Sequence, residues 1–258
     1  MKELSATAIT AGLKTRVIGQ RLVYFPSLAS TMDTARDEVR RGATEGTVVM
    51  AGEQMGGRGR LKRNWVSPSG NIALSIILYP DVKAIPYLIM IASLAAARSI
   101  EGATGLKTGI KWPNDVLIEG RKVSGILIEN EVKGNKAASV TGIGINIDLN
   151  AADYPEIADT AASLKSSGKA DFRVEIIRAL LTEFERLYLT LPDGKPIFEA
   201  WRGRLATLGE KVRATGGGET IEGVAEDADE SGALWIRGAE GRLTKVVAGE
   251  VTLRGNRD

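Results

Sequence analysis

Four cations and three glycines occupy eight consecutive positions, Gly56-Gly57-Arg58-Gly59-Arg60-Leu61-Lys62-Arg63, and Asn64-Trp65-Val66-Ser67-Pro68 follows at once. Glycine lets backbone amides turn toward a ligand, and arginine forks grip phosphate or carboxylate through paired hydrogen bonds. The ligand that suits such a loop is polyanionic. It is not a nucleoside-triphosphate P-loop, because the Gly-Lys-Ser/Thr ending is missing. A solvated basic loop or an RNA-binding tip is the alternative. Trp65 can anchor the loop, cover a ligand, or simply pack in the core.

A second constellation is Lys111-Trp112-Pro113-Asn114-Asp115. It sets one cation at the end of a short strand beside a bulky aromatic and a stiff proline. Lysine is a point charge that can neutralise a carboxylate and a phosphoryl oxygen as they come together. The competing reading is an ordinary Pro-Asn-Asp turn. The third pairs Lys122-Val123-Ser124-Gly125-Ile126-Leu127 with Gly142-Ile143-Gly144-Ile145-Asn146-Ile147. Small residues on two strands would leave a slot for a ligand, with the Asn146 amide facing a purine edge or a metal-bound phosphate. Plain sheet packing is the alternative.

What is missing narrows the chemistry further. The 258 residues include no cysteine and no histidine. Disulfides, thiolate nucleophiles and sulfur-ligated zinc are therefore excluded, and a reducing, cytoplasmic location is expected. Ser-His-Asp and Cys-His catalysis are excluded as well. An enzyme built this way must work by positioning and fixed positive charge. The formal net charge is only +2, so any cationic function is local. With 43% hydrophobic and 26% charged residues, the chain reads as a packed globule.

The elements that must position these residues follow from periodicity. Residues 1–20 read as a short, weakly amphipathic leader without the apolar core of a secretory signal. Leu22–Phe25 is an expected strand, and Ser30 or Thr31 caps a helix carrying Met32, Ala35 and Val39 on one face. Thr47–Ala51 and Ala73–Tyr79 are expected strands and Pro86–Ile100 a core helix, since the apolar stretch Ile85–Ala97 reads as too short to span a bilayer. Val116–Ile118, Val123–Glu131 and Ala137–Ile147 form a meander turning at Glu119-Gly120-Arg121-Lys122 and Lys133-Gly134-Asn135-Lys136. Gly142 and Gly144 mark a bulge or a close backbone approach. Helices are expected over Phe172–Leu191 and Ile197–Leu208. Short alternating runs then begin, broken by Gly216-Gly217-Gly218, so a boundary falls near Leu208 and residues 209–258 read as a small barrel.

In order and spacing, these segments resemble the biotin–protein ligase family over nearly the whole chain. The residues that carry the resemblance are Ser30-Thr31 on a strand-to-helix turn, Gly57-Arg58-Gly59-Arg60-x-x-Arg63-x-Trp65, Lys111-Trp112-Pro113-Asn114-Asp115, Lys122-Val123-Ser124-Gly125-Ile126 and Gly142-Ile143-Gly144-Ile145-Asn146. Ala248-Gly249-Glu250-Val251 looks like the end of the family's SH3-like barrel. The resemblance implies an α+β fold: a mixed sheet with helices over residues 21–208, like that of class II aminoacyl-tRNA synthetases, with the barrel behind it. It also implies two steps, attack of the biotin carboxylate on the α-phosphate of MgATP and transfer of biotin from the adenylate to a lysine. Neither step needs histidine or cysteine.

By that resemblance Ser30, Thr31 and Gln54 hydrogen-bond the ureido ring of biotin, with Met32 beside them. Arg58, Gly59 and Arg60 close over the valeryl chain and the adenylate, and Gly125 admits the ligand beside its strand. Lys111 meets the carboxylate and the α-phosphate and is, with Arg60, the expected catalytic pair. Arg58, Arg63, Trp65, Lys111, Asn114, Asp115 and Asn146 fall on the nucleotide side, and no metal-ligating residue is assigned. The implied partners are biotin, ATP with Mg2+, and the biotin carboxyl carrier domain of a carboxylase. Neither DNA nor a membrane is expected, and a homodimer is common in the family.

Three departures stand out. Met32 replaces the usual Asn, Lys62 replaces a common Gly, and the leader is too short for the winged helix with which some members bind DNA. A lipoate–protein ligase shares the fold and the adenylate chemistry, but the arginine-rich loop, its Trp and the terminal barrel argue against it. An RNA-binding module would show many aromatics on strands, yet aromatics are only 5% of the chain.

Overall fold

The computed structural model describes residues 4–164, 172–216, 219–247 and 249–253. Gly217, Gly218 and Ala248, named above, and the first three residues of the leader lie outside them. Seven strands form one sheet: β1 (Leu22–Phe25), β2 (Val48–Ala51), β3 (Ile72–Leu78), β4 (Gly109–Lys111), β5 (Asp115–Ile118), β6 (Arg121–Lys133) and β7 (Lys136–Ile145). Their spatial order is β1-β2-β3-β7-β6-β5-β4. β1 and β2 run parallel and every other pair antiparallel, so the sheet is mixed as expected.

The central strand β3 is buried at all of its positions, which explains its unbroken apolar run: both faces of the sheet are covered there. On one face lies the main core under α3 (Ile85–Thr104), α4 (Arg173–Tyr188) and α5 (Lys195–Arg202). On the other, α2 (Thr31–Arg40) packs Met32 and Ala35 over Val49, Ile77 and Val140. Residues 82–104 are long and apolar enough to cross a bilayer, yet most of that stretch is buried inside the protein. It serves as a core helix. At the β5–β6 connection Glu119 and Gly120 both have positive φ (50° and 76°), the geometry of a two-residue hairpin turn that matches strand twist.

Two features could not be read from periodicity. The leader is docked: α1 (Ala6–Thr10) lies near α4, and Leu4, Ile9 and Ile18 belong to the main core. The buried Glu185 carboxylate accepts the backbone N–H groups of Arg16, Val17 and Ile18 at 2.7–3.0 Å. Arg178 donates to the carbonyls of Ala8, Ile9 and Ala11 at the end of α1. Secondly, α5 stops at Arg202 and does not reach Leu208. Residues 204–206 instead join the free edge of β4: Ile110 N–H donates to the Arg204 carbonyl (2.8 Å) and Ala206 N–H to the Ile110 carbonyl (2.9 Å). Those sheet bonds override the helical periodicity.

The carboxyl-terminal sheet has five antiparallel strands, β8 (Lys211–Gly216), β9 (Glu219–Ala228), β10 (Leu234–Arg237), β11 (Leu243–Val246) and β12 (Glu250–Leu253), in the order β11-β10-β9-β8-β12. It is the SH3-like unit expected there. Trp112, 2% exposed, fixes it to the larger domain. The Trp112 backbone N–H donates to Thr207 Oγ1 and its indole Nε1–H to the Gly232 carbonyl, each at 2.8 Å.

Candidate active site

Paired strand residues share a face, so register shows what the sheet presents. One row runs Lys111, Asp115, Gly125, Gly144, Ala73, Ala51 across β4, β5, β6, β7, β3 and β2. Two glycines side by side leave a slot in that face. The Trp65 indole lies in it: a Cβ on Gly144 would overlap the ring, and one on Gly125 would come within 2.9 Å of Trp65 Cζ3. Gly144 thus marks a close approach, not a bulge. Met32 Sδ covers Gly142 in the same way, which places Met32 in the smaller core.

Lys122 sits at the mouth of the slot. Its Nζ is 5.4 Å from the Trp65 ring centroid and 2.7 Å from Asp115 Oδ1. Sequence reasoning included Lys122 in a motif but gave it no role. The missed signal is a lysine three residues before a strand glycine. The Lys122 backbone is fixed by a neighbouring segment, with N–H donating to the Thr160 carbonyl and the carbonyl accepting from Ala162, each at 2.7 Å. Asn146 Nδ2 donates to the Lys122 and Ala162 carbonyls, and Asn146 Oδ1 is buried with no hydrogen-bond partner.

At the other end, the amino terminus of α2 gathers the expected polar group. Gln54 Oε1 accepts from Thr31 N–H (2.8 Å) and Thr31 Oγ1 (3.0 Å), and Ser75 Oγ donates to Thr31 Oγ1 at 2.9 Å. Gln54 Nε2 faces Gly57, and Ser30 Oγ is buried without a hydrogen-bond partner. An orphaned hydroxyl costs free energy unless something meets it, so this end is built for a polar ligand.

The basic loop spans the two ends. Gly59 N–H donates to the Arg63 carbonyl at 2.7 Å and Trp65 N–H to the Gly57 carbonyl at 2.9 Å, so the loop folds back on itself. Leu61 at its tip has φ 53° and is exposed. Arg60 donates from Nη1 to Asn114 Oδ1 and from Nη2 to the Gly249 carbonyl, both at 2.9 Å. The Arg63 side-chain region is exposed at the foot of the loop.

Two of the expected site residues have partners of their own here. Arg58 pairs with Asp33 and Glu129, each at 3.0 Å, so those carboxylates on α2 and β6 compensate its charge. Gly125 opens no free space beside its strand, since Trp65 fills it. Two cavities lie away from this row. One of about 430 Å³ is lined by Leu4, Phe172 and Arg178, and one of about 300 Å³ by Arg36, Val39 and Glu131. Among the described residues no group of three or more Asp or Glu side chains could hold a metal ion.

Carboxylates with shifted titration hold the frame. Burial pushes Glu101 up, but hydrogen bonds from Arg204 and Thr108 outweigh it and its carboxyl titrates below the usual range. Burial likewise opposes ionisation of Asp229, and Lys245, Ser231, Ala233 and Trp235 together bring it down to about 2. Near α4 the Tyr188 hydroxyl is pushed up by burial and by Glu45.

Comparison with known proteins adds to this geometry. Residues 24–146 match the biotin/lipoate A/B protein ligase family, and residues 207–254 match the biotin protein ligase C-terminal domain. The bifunctional ligase/repressor BirA of Bacillus subtilis is 38% identical over 259 residues, covering 97% of this chain and 79% of the relative. The biotin–[acetyl-CoA-carboxylase] ligase of Paracoccus denitrificans is 37% identical over 220 residues, covering 80% and 90%. Among solved structures, biotin protein ligase from Aquifex aeolicus in complex with biotin and ATP superposes with a TM-score of 0.73 at 27% identity, covering 91% of this chain and 99% of the other.

Proposed function

The chain belongs to the biotin protein ligase family, whose activity is ATP-dependent activation of biotin and its transfer to a carrier, and on that premise we propose how its residues divide the work. The observation that carries the reading is the row Lys111-Asp115-Gly125-Gly144, with the Lys122 ammonium 5.4 Å from the Trp65 ring beside it. With Trp65 seated on the two glycines, the row presents a flat, cationic surface that runs to a polar terminus at Ser30, Thr31 and Gln54.

In this reading the ureido ring meets the Ser30 hydroxyl and the Gln54 amide, since Thr31 already occupies Gln54 Oε1 and turns its N–H₂ outward. The valeryl carboxylate then points along the sheet toward Lys111 and Lys122. These cations neutralise the carboxylate and the α-phosphate of MgATP, two anions that would otherwise repel. A carboxylate oxygen bonds to the α-phosphorus, the bond to pyrophosphate breaks, and biotinyl-5′-AMP remains. The acceptor amine next attacks the acyl carbon, AMP leaves with the shared oxygen, and the amine loses its proton.

Trp65, Asn146 and Arg63 serve the nucleotide, Trp65 as a flat surface and Asn146 through its unpartnered Oδ1. Arg60 closes the loop over the anhydride. Arg58 is assigned to anchoring the loop because two carboxylates hold it. The acceptor is the biotin carboxyl carrier domain of a carboxylase, and the reaction is cytoplasmic. A homodimer with no DNA or membrane partner completes the proposal; sedimentation and a DNA mobility-shift control check that part.

ATP–pyrophosphate exchange with biotin and with lipoate as alternative acids tests the central claim. Exchange on biotin is expected, followed by a single added biotinyl group on a carrier domain by mass. Exchange on lipoate alone would overturn it.

A further inference from the structure

Resting on that ligase reading, we propose that Asn114 is a positioning residue that joins closure of the basic loop to the seating of the carboxyl-terminal sheet, acting through Arg60. Asn114 is committed at both ends of its amide. Its Nδ2 donates to the Ile126 carbonyl at 2.9 Å, while Ile126 N–H returns a bond to the Asn114 carbonyl at 3.1 Å. That donor bond fixes which way the amide points, because the flipped amide would set oxygen against oxygen. Oδ1 is left facing Arg60 Nη1 at 2.9 Å.

The second arm of Arg60 reaches the Gly249 carbonyl, directly ahead of β12, whose Glu250 pairs with Thr215 of β8. Gly249 therefore moves with the carboxyl-terminal sheet. That sheet is seated by Trp112, two residues before Asn114, through the Gly232 carbonyl and Thr207. One pentapeptide thus grips the small domain with its Trp and the loop with its Asn, and Arg60 closes the triangle. Arg58, two positions earlier in the loop, pairs instead with Asp33 and Glu129.

The test uses the full chain with Asn114→Ala, Asn114→Asp and Trp112→Phe, each checked for a cooperative melt. Amide exchange of residues 57–65 is measured without ligand, so the result does not depend on which acid the enzyme activates. Asn114→Ala and Trp112→Phe are expected to speed exchange at Gly59 and Trp65 about tenfold, the loss of one hydrogen bond that holds the brace. Asn114→Asp keeps an oxygen for Arg60 but sets its second oxygen against the Ile126 carbonyl, so its exchange should fall between those of Asn114→Ala and the parent. Release of biotinyl adenylate should follow the same order. Unchanged exchange in Asn114→Ala overturns the brace, and unchanged exchange in Trp112→Phe overturns its link to the small domain. Faster exchange in a protein that makes no adenylate from biotin would support the brace and sink the ligase reading instead.

Discussion

The Lys122 ammonium lies beside an indole that itself rests on two glycines, and this small arrangement concentrates the reading of the site. Lys122 and Lys111 share the work of holding two anions together, so Lys122→Ala and Lys111→Ala should each lower adenylate formation by about 10²-fold or more. Pyrophosphate release in a single turnover measures this, and a near-normal rate in either variant removes that lysine from the chemistry. Much of the site was legible as residue types: the arginine-rich loop, the Ser30-Thr31 pair and the glycines of both strands. What spacing could not show was which residue filled the glycine slot. Trp65 and Gly144 are brought together by strand register and a folded-back loop, which short-range patterns do not encode. Nothing local in the sequence says that Asp33 and Glu129 converge on Arg58.

Among the elements, α4 carries a strap for the first residues of the fold. Glu185→Ala would leave the buried N–H groups of Arg16, Val17 and Ile18 without their acceptor, at a cost of about 3–5 kcal/mol. Urea denaturation checks it; a loss below about 1 kcal/mol would mean that other groups satisfy those amides. The turn before β10 makes a pH-dependent contribution. Asp229 ionises near 2 in the folded chain against an ordinary 3.8, so its stabilisation is complete above about pH 4 and disappears as pH falls toward 2. With the side chain 29% exposed, the effect should be about 1–2 kcal/mol. Asp229→Asn should flatten that part of the acid-denaturation curve, and an unchanged slope would refute the assignment. Strands and the core helix could be read from periodicity because each buries a regular apolar face. The end of α5 could not, since the bonds that stop it come from β4, far away in sequence.

For the whole molecule, the two domains share one apolar core: Val212, Ala225 and Leu234 of the small sheet join the cluster built around α3. Loop, sheet and small domain all converge on the slot, so biotin and ATP together should raise the melting temperature by more than the sum of each alone. Differential scanning fluorimetry with a nonhydrolysable ATP analogue as control reads this, and a simply additive shift would argue that the two ligands do not meet.

The tryptophan on the glycine pair also makes the protein its own sensor. Trp112 and Trp201 are sealed in the core and Trp235 lies in the small sheet, which leaves Trp65 as the emitter most directly exposed to events in the slot. Its neighbouring ammonium and its flat seat make its fluorescence sensitive to anything that slides between ring and lysine. Occupancy could then be followed in real time, without dye or radiolabel, by comparing the parent with Trp65→Phe.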